Sequence, residues 1–115
     1  MLDLIFGAIG SFLSFIGRIV STIIDGAISF AKHVVGWFRG LSLQRDRDIP
    51  FVVDANSDQF QELLDKAPEL DAGIFEGVYD TETHTIKDYQ YIEAEDLDER
   101  TAEIFEEHGP IVILK

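Results

Sequence analysis

The chain has 115 residues, 22 of them acidic and 9 basic, for a formal net charge of −13. That length suits one small domain with an appendage. So acidic a balance argues against nucleic acid as a partner, because phosphate contacts need Lys and Arg. With no cysteine, disulfides and thiolate metal sites are excluded.

The charge is unevenly placed. Residues 1–41 carry +1 and residues 42–115 carry −14. The acidity of the second part reads as solubility and self-repulsion. A cleaved secretory signal is not expected, since Asp3 stands where the basic region belongs and the apolar character persists far beyond a signal's short core.

In the first part, apolar or small residues fill 4–17, 19–24 and 26–31, with no proline. Read as one helix over 3–40, the segment is about 57 Å long. A bilayer core is about 30 Å thick, so such a rod would tilt, bend, protrude or lie on the surface. Arg18, Asp25, Lys32 and Arg39 stand at seven-residue intervals. Two helical turns separate them, so a continuous helix puts them on one stripe with Ser11, Ser14 and Ser21. Phe6, Phe12, Phe15, Ile19, Val20, Ile23, Phe30, Val34 and Phe38 lie on the opposite side. Charges inside a membrane normally face a bundle interior or a water-filled cavity. The stripe therefore reads as an oligomer or lumen surface, with Asp25 pairing with Arg18 or Lys32 of a neighbouring copy, or else as the charges of a single membrane anchor or surface helix, tolerated by snorkelling and local bilayer thinning. Gly10 and Ser14, Gly17 and Ser21, Ala27 and Ala31, and Gly36 and Gly40 permit close helix contact. Trp37 and Phe38, beside Lys32, His33 and Arg39, read as a membrane-interface belt. The following bases Arg39, Arg45 and Arg47 place the C-terminal part on the cytoplasmic side of a spanning helix. The alternative localisation is an extracellular assembly.

In pattern, this segment resembles short membrane-active helical peptides of the bacterial cytolysin type, which also begin at a hydrophobic terminus and carry sparse charges. The resemblance is one of composition, covers only the N-terminal third and brings no diagnostic motif, so it assigns no family.

Residues 42–49 read as a charged linker. Phe51-Val52-Val53 reads as a buried strand. Asn56, with Gln59 three residues on, caps a helix carrying Phe60, Leu63, Leu64 and Ala67, which Pro68 stops near Lys66. Ile74 to Asp80 and Thr85 to Glu93 form two strands about a turn at Thr81 to His84. Asp96 with Glu99 caps a second helix carrying Leu97, Ala102, Ile104 and Phe105, and Gly109 and Pro110 end it. Ile111 to Leu114 is a final strand. The fold class is α+β: a long hydrophobic N-terminal helix, then an acidic β-α-β-β-α-β module over 50–115. That order predicts a ferredoxin-like sheet of four antiparallel strands with two helices on one face. A module this small has a marginal core and an edge strand free for a protein partner or a second copy.

No reaction is legible. Asp54-Ala55-Asn56-Ser57-Asp58 has the opening spacing of a calcium loop, but Gln59 replaces the turn glycine and Asp65 the bidentate Glu, so a strand end plus a helix cap explains it better. His33, His84 and His108 stand in three separate elements, and no metal site, cofactor or enzyme activity is expected. Two functions remain. One is a membrane-inserting homo-oligomer, pore-forming or permeabilising, with the acidic part as soluble or regulatory module. The alternative is a structural subunit of a filament, tube or shell cored by packed N-terminal helices.

Overall fold

A computed structural model of the chain describes residues 2–17, 19–64 and 69–114. Its longest dimension is 37 Å and its radius of gyration 13.1 Å, close to the roughly 13 Å of a compact domain this size. A straight helical rod over 3–40 does not fit within it.

The expected rod is instead broken into short elements. Helix α1 runs Leu2–Ile16. Asp3 in its first turn suits the helix dipole. Ile5, Ala8, Ile9 and Leu13 form its buried row, the three- and four-residue spacing of one helical face. Gly17 ends it with φ +71, its N–H donating to the Leu13 carbonyl at 3.1 Å. Only glycine takes that conformation without steric cost, which makes it a common helix stop. The β-branched run that follows is extended: β1 is Thr22–Ile23 and β2 is Ala27–Ile28, as that composition favours. Gly26, at φ +79, turns the chain between them. A π-helical segment, Phe30–Val35, leads into the one-turn α2, Gly36–Arg39.

The acidic part contributes β3 (Asp48–Asp54), α3 (Asp58–Leu64), β4 (Ala72–Asp80), β5 (Thr85–Ala94), β6 (Asp96–Leu97), α4 (Glu99–His108) and β7 (Ile111–Ile113). The α+β class and the order of these elements agree with the sequence reading, and the β4–β5 hairpin turns at Thr81 to His84 as expected. Two caps differ. Ser57 rather than Asn56 caps α3: its carbonyl accepts Gln61 N–H at 3.1 Å, while the Asn56 side chain donates to the Asp71 carbonyl. Asp98 rather than Asp96 caps α4, accepting Thr101 N–H at 2.8 Å. The expected stop at Lys66 to Pro68 lies outside the described residues.

The sheet order is β1-β5-β4-β3-β7, with β2 and β6 paired separately. β3 pairs directly and antiparallel with β4 over seven residues, from Asp48 opposite Asp80 to Asp54 opposite Ile74. This departs from the ferredoxin-like split arrangement, and the two helices of the acidic module do not share a face. Phe60 of α3 joins one apolar cluster, whereas Ile104 and Phe105 of α4 join the other. The physical reason is the N-terminal third. Every residue of β4 is buried, so both faces of the sheet need cover. On one face α1 and α3 pack over Phe51, Val53, Phe75, Tyr79 and Tyr91. On the other, α4 and residues 24–38 supply Ile28, Val34, Phe38, Ile104 and Phe105 over Val52, Ile74 and Ile92. Folding back lets one chain bury what a rod would have to hide in lipid or in other copies.

The first face is held by aromatic contacts. Phe75 stacks on Tyr89 at 5.8 Å between ring centroids, and Phe12 of α1 meets Tyr89 edge-on at 5.0 Å. Gly77 makes room for Phe51: a Cβ there would sit 2.8 Å from that ring and 2.9 Å from the Asp88 carbonyl.

Candidate functional site

The residues expected as a linker are tied down. Asp48 accepts Gln44 N–H at 2.7 Å and pairs with Lys87 at 2.7 Å. Arg47 grips Asp80 with Nε and Nη2, the latter at 2.8 Å, and reaches Glu82 at 3.0 Å. The Asp80 carboxylate also accepts Glu82 N–H. The Arg47 guanidinium holds its carboxyl far below the usual carboxylate range. β3 therefore begins inside the expected linker, and Arg47 and Asp48 tie the junction to the β4–β5 hairpin.

Residues 24–38 are fastened along the end of β5 and the start of α4. Ile24 N–H donates to the Glu93 carbonyl, Glu95 N–H to Gly26, and Asp98 N–H to Ile28, at 3.0, 3.1 and 2.8 Å. Asp98 does two jobs, since the carboxylate that caps α4 also accepts Phe30 N–H at 3.1 Å. Ser29 and His33 cap each other's turn: Ser29 N–H donates to His33 Nδ1 at 2.8 Å, and Ser29 Oγ accepts Lys32 N–H at 3.2 Å. Arg100 lies over the Phe30 ring at 6.0 Å, within cation–π range.

The stripe residues are scattered by this arrangement. Ser11 and Ser14 are exposed on the outer face of α1, where they form the solvent side of an ordinary amphipathic helix. Ser21 is half-buried before β1, Asp25 is exposed in the Gly26 turn, Lys32 is exposed on the π-helical segment and Arg39 is exposed at the end of α2. Arg18 lies outside the described residues. Trp37 and Phe38 are half-buried and meet edge-on at 4.9 Å, and Phe38 packs on the second cluster rather than on a surface belt. The folded chain thus spreads the stripe over separate elements.

What it leaves outside is apolar. Leu2 is 45% exposed, Leu4 54%, Phe15 88%, Val20 71% and Ile23 59%. Leu4 and Phe15 share one row of α1 with Ala8 and Ser11. Phe15 also borders a shallow groove of about 430 Å³ against His84, Thr85 and Ile86. Val20 and Ile23 stand at β1, an outer strand of the sheet. Leu2 sits at the other edge, against His108 and Ile111 to Ile113 of β7. Among the described residues, every exposed large apolar side chain lies between Leu2 and Ile23. The sequence reading placed Phe15, Val20 and Ile23 on the apolar flank but gave no signal that Leu2 would stay outside, because that depends on where β7 ends.

Among the described residues, no helix is long and apolar enough to cross a membrane. No protein-family model, curated protein or solved structure matches the chain.

Proposed function

We propose that this protein acts at lipid bilayers as a homo-oligomer. It docks through the apolar side chains between Leu2 and Ile23, and it inserts and permeabilises once that segment leaves the acidic sheet. The observation that carries the reading is the confinement of the exposed large apolar side chains, among the described residues, to Leu2, Leu4, Phe15, Val20 and Ile23, which gathers the apolar surface open to a membrane into one sequence segment. Charge runs the same way: residues 1–41 carry +1 while the acidic −14 belongs to the rest. The compact fold makes no use of the seven-residue spacing of Asp25, Lys32 and Arg39, which stand exposed on separate elements. A local pattern that contradicts the global fold points to function, and in an extended helix those residues with Ser11, Ser14 and Ser21 return to one stripe while Trp37 and Phe38 set the depth. The acidic module then stays in water, on the cytoplasmic side by the placement of Arg45 and Arg47.

The test is flotation and dye release with phosphatidylcholine vesicles. Wild type floats with the vesicles and releases dye. Replacing Phe15, Val20 and Ile23 together by Ser abolishes flotation, and Asp25→Lys abolishes dye release while leaving residues 50–115 folded. A wild type that stays with the soluble fraction contradicts the reading.

The structural-subunit reading draws on a different observation. The sheet ends in β1 and β7, and the unpaired backbone groups on the outer side of an edge strand can pair with another copy. Ordered polymers in detergent-free, lipid-free buffer, seen by electron microscopy, would favour that reading over the first.

A further inference from the structure

Among the described residues, three buried carboxylates are compensated. Asp48 has Lys87, Asp80 has Arg47, and Glu93 accepts the backbone N–H groups of Glu69 and Leu70. Glu76 is the exception. It is fully buried at 0% exposure. One of its oxygens accepts Gln90 Nε2 at 2.8 Å. The other, Oε2, has no hydrogen-bond partner, and no cation pairs with the group among the described residues. An ionised carboxylate in such a place is costly.

Its surroundings explain both the burial and the weakness. Glu76 stands directly opposite Val52 on β3 and two residues from Ile74 on its own strand. It therefore shares the sheet face on which residues 24–38 and α4 pack. Beside α4, the cover on that face is light. The strap consists of a two-residue strand, the π-helical segment and a four-residue helix, which follow the bend of Gly26. Isolated helices this short are not stable by themselves, so the strap depends on its contacts with the sheet.

Among the described residues, no other charge on this face relieves Glu76. On β3, Asp48 and Asp54 lie at the two ends of the strand. On β4 and β5, Asp80 and Lys87 are engaged with Arg47 and Asp48, and Asp88 is exposed. The strap offers Lys32 and Arg39, both exposed, and His33, which is bonded to Ser29. α4 turns Thr101, Ile104 and Phe105 inward and keeps Glu99, Arg100, Glu103, Glu106, Glu107 and His108 exposed.

We propose that Glu76 is a proton-controlled latch. With its carboxyl protonated, the strap of residues 24–39 lies closed on the sheet; ionisation drives the strap off so that water reaches the carboxylate.

The direction follows from linkage. Burial pushes the carboxyl up from 4.5 to about 8, with the Gln90 hydrogen bond pulling weakly the other way. Where the open form exposes the group, its carboxyl titrates near the ordinary value. The closed form therefore holds the extra proton, and its advantage falls as pH rises from 4.5 to about 8. Across that range the closed-to-open ratio drops by roughly three orders of magnitude. The latch stands whether or not the released segment meets lipid; if it does, alkaline pH is the trigger for its release.

Trp37 is the single tryptophan of the chain and lies in the strap, so its emission reports closure. The experiment follows Trp37 emission and far-ultraviolet circular dichroism of the full chain from about pH 6 to about pH 9.5, in lipid-free buffer. The expected result is a red shift as pH rises through this range, with the sheet signal retained. Glu76→Gln, which keeps the shape and the Gln90 contact, removes the shift, and His33→Gln leaves it in place. The proposal is overturned by an unshifted wild type, by the same shift in Glu76→Gln, by loss of the shift in His33→Gln, or by a shift that coincides with loss of the whole sheet signal.

Discussion

Residues 2–41 and residues 48–114 are built on different terms. In the acidic part, local pattern and final structure agree. Apolar and polar residues suit the strand faces, threonines stand in the hairpin turn, and Gly109 closes α4 with its N–H on the Phe105 carbonyl at 2.9 Å. In the first part they disagree. A stretch with helical periodicity throughout keeps regular α-helix only over Leu2–Ile16 before its single turn at α2, and otherwise holds two-residue strands, a π-helical segment and irregular chain. The difference teaches that periodicity identifies which side of a segment is apolar but not what that side will meet. Ile5, Ile9 and Leu13 are buried whether the partner is lipid, a sister helix or the sheet. The sheet is the nearest partner, and without the N-terminal segment only α3 covers one of its faces and α4 the other.

That comparison is sharpened first by large-to-small changes within α1. Ile9→Ala removes a fully buried side chain from the first cluster and is expected to lower the unfolding free energy of the whole chain by about 2–5 kcal/mol in urea titration. An appendage independent of the acidic sheet would give almost no change. Gly77→Ala should cost roughly 1–3 kcal/mol in the same titration, because the new methyl meets the Phe51 ring and the Asp88 carbonyl. Asp98→Ala should cost about 1 kcal/mol for the lost helix cap. It should also speed amide exchange at Phe30, whose N–H the same carboxylate accepts. Phe15→Ser, at a side chain 88% exposed, should change stability by no more than about 0.5 kcal/mol while still weakening vesicle flotation. Were Phe15 as costly as Ile9, the inner and outer rows of α1 would not be distinct.

The legible and illegible parts divide on physical lines. Strand and helix positions in the acidic part are readable because turns, caps and alternation are local. The strand order is not. The direct pairing of β3 with β4 and the opposite placement of α3 and α4 depend on which segments cover each sheet face, and half of that cover comes from residues far away in sequence. The polar stripe holds over Ser11 and Ser14, where α1 is helical. It fails beyond Gly17, where a positive φ ends the helix and the β-branched run from Ile19 to Ile24 takes over. Asn56 and Asp96 each stand too early to be the caps, because several Asn, Asp and Ser residues crowd those starts and only geometry selects among them. Glu76 leaves one faint trace: an acid inside the otherwise apolar run from Ala72 to Tyr79. Its sequence neighbourhood does not reveal that Gln90 is its partner, nor that Arg47 is the partner of Asp80.

The claim that organises all of this is that residues 2–41 are core of the same fold as the acidic sheet. It is tested most directly by shortening the chain to residues 42–115 and recording its amide spectrum and thermal transition beside those of the full chain. The account predicts a collapsed amide spectrum and no cooperative transition, because α1 leaves one sheet face and residues 24–38 leave the other. A shortened chain with dispersed amides and a sharp transition of its own would contradict it.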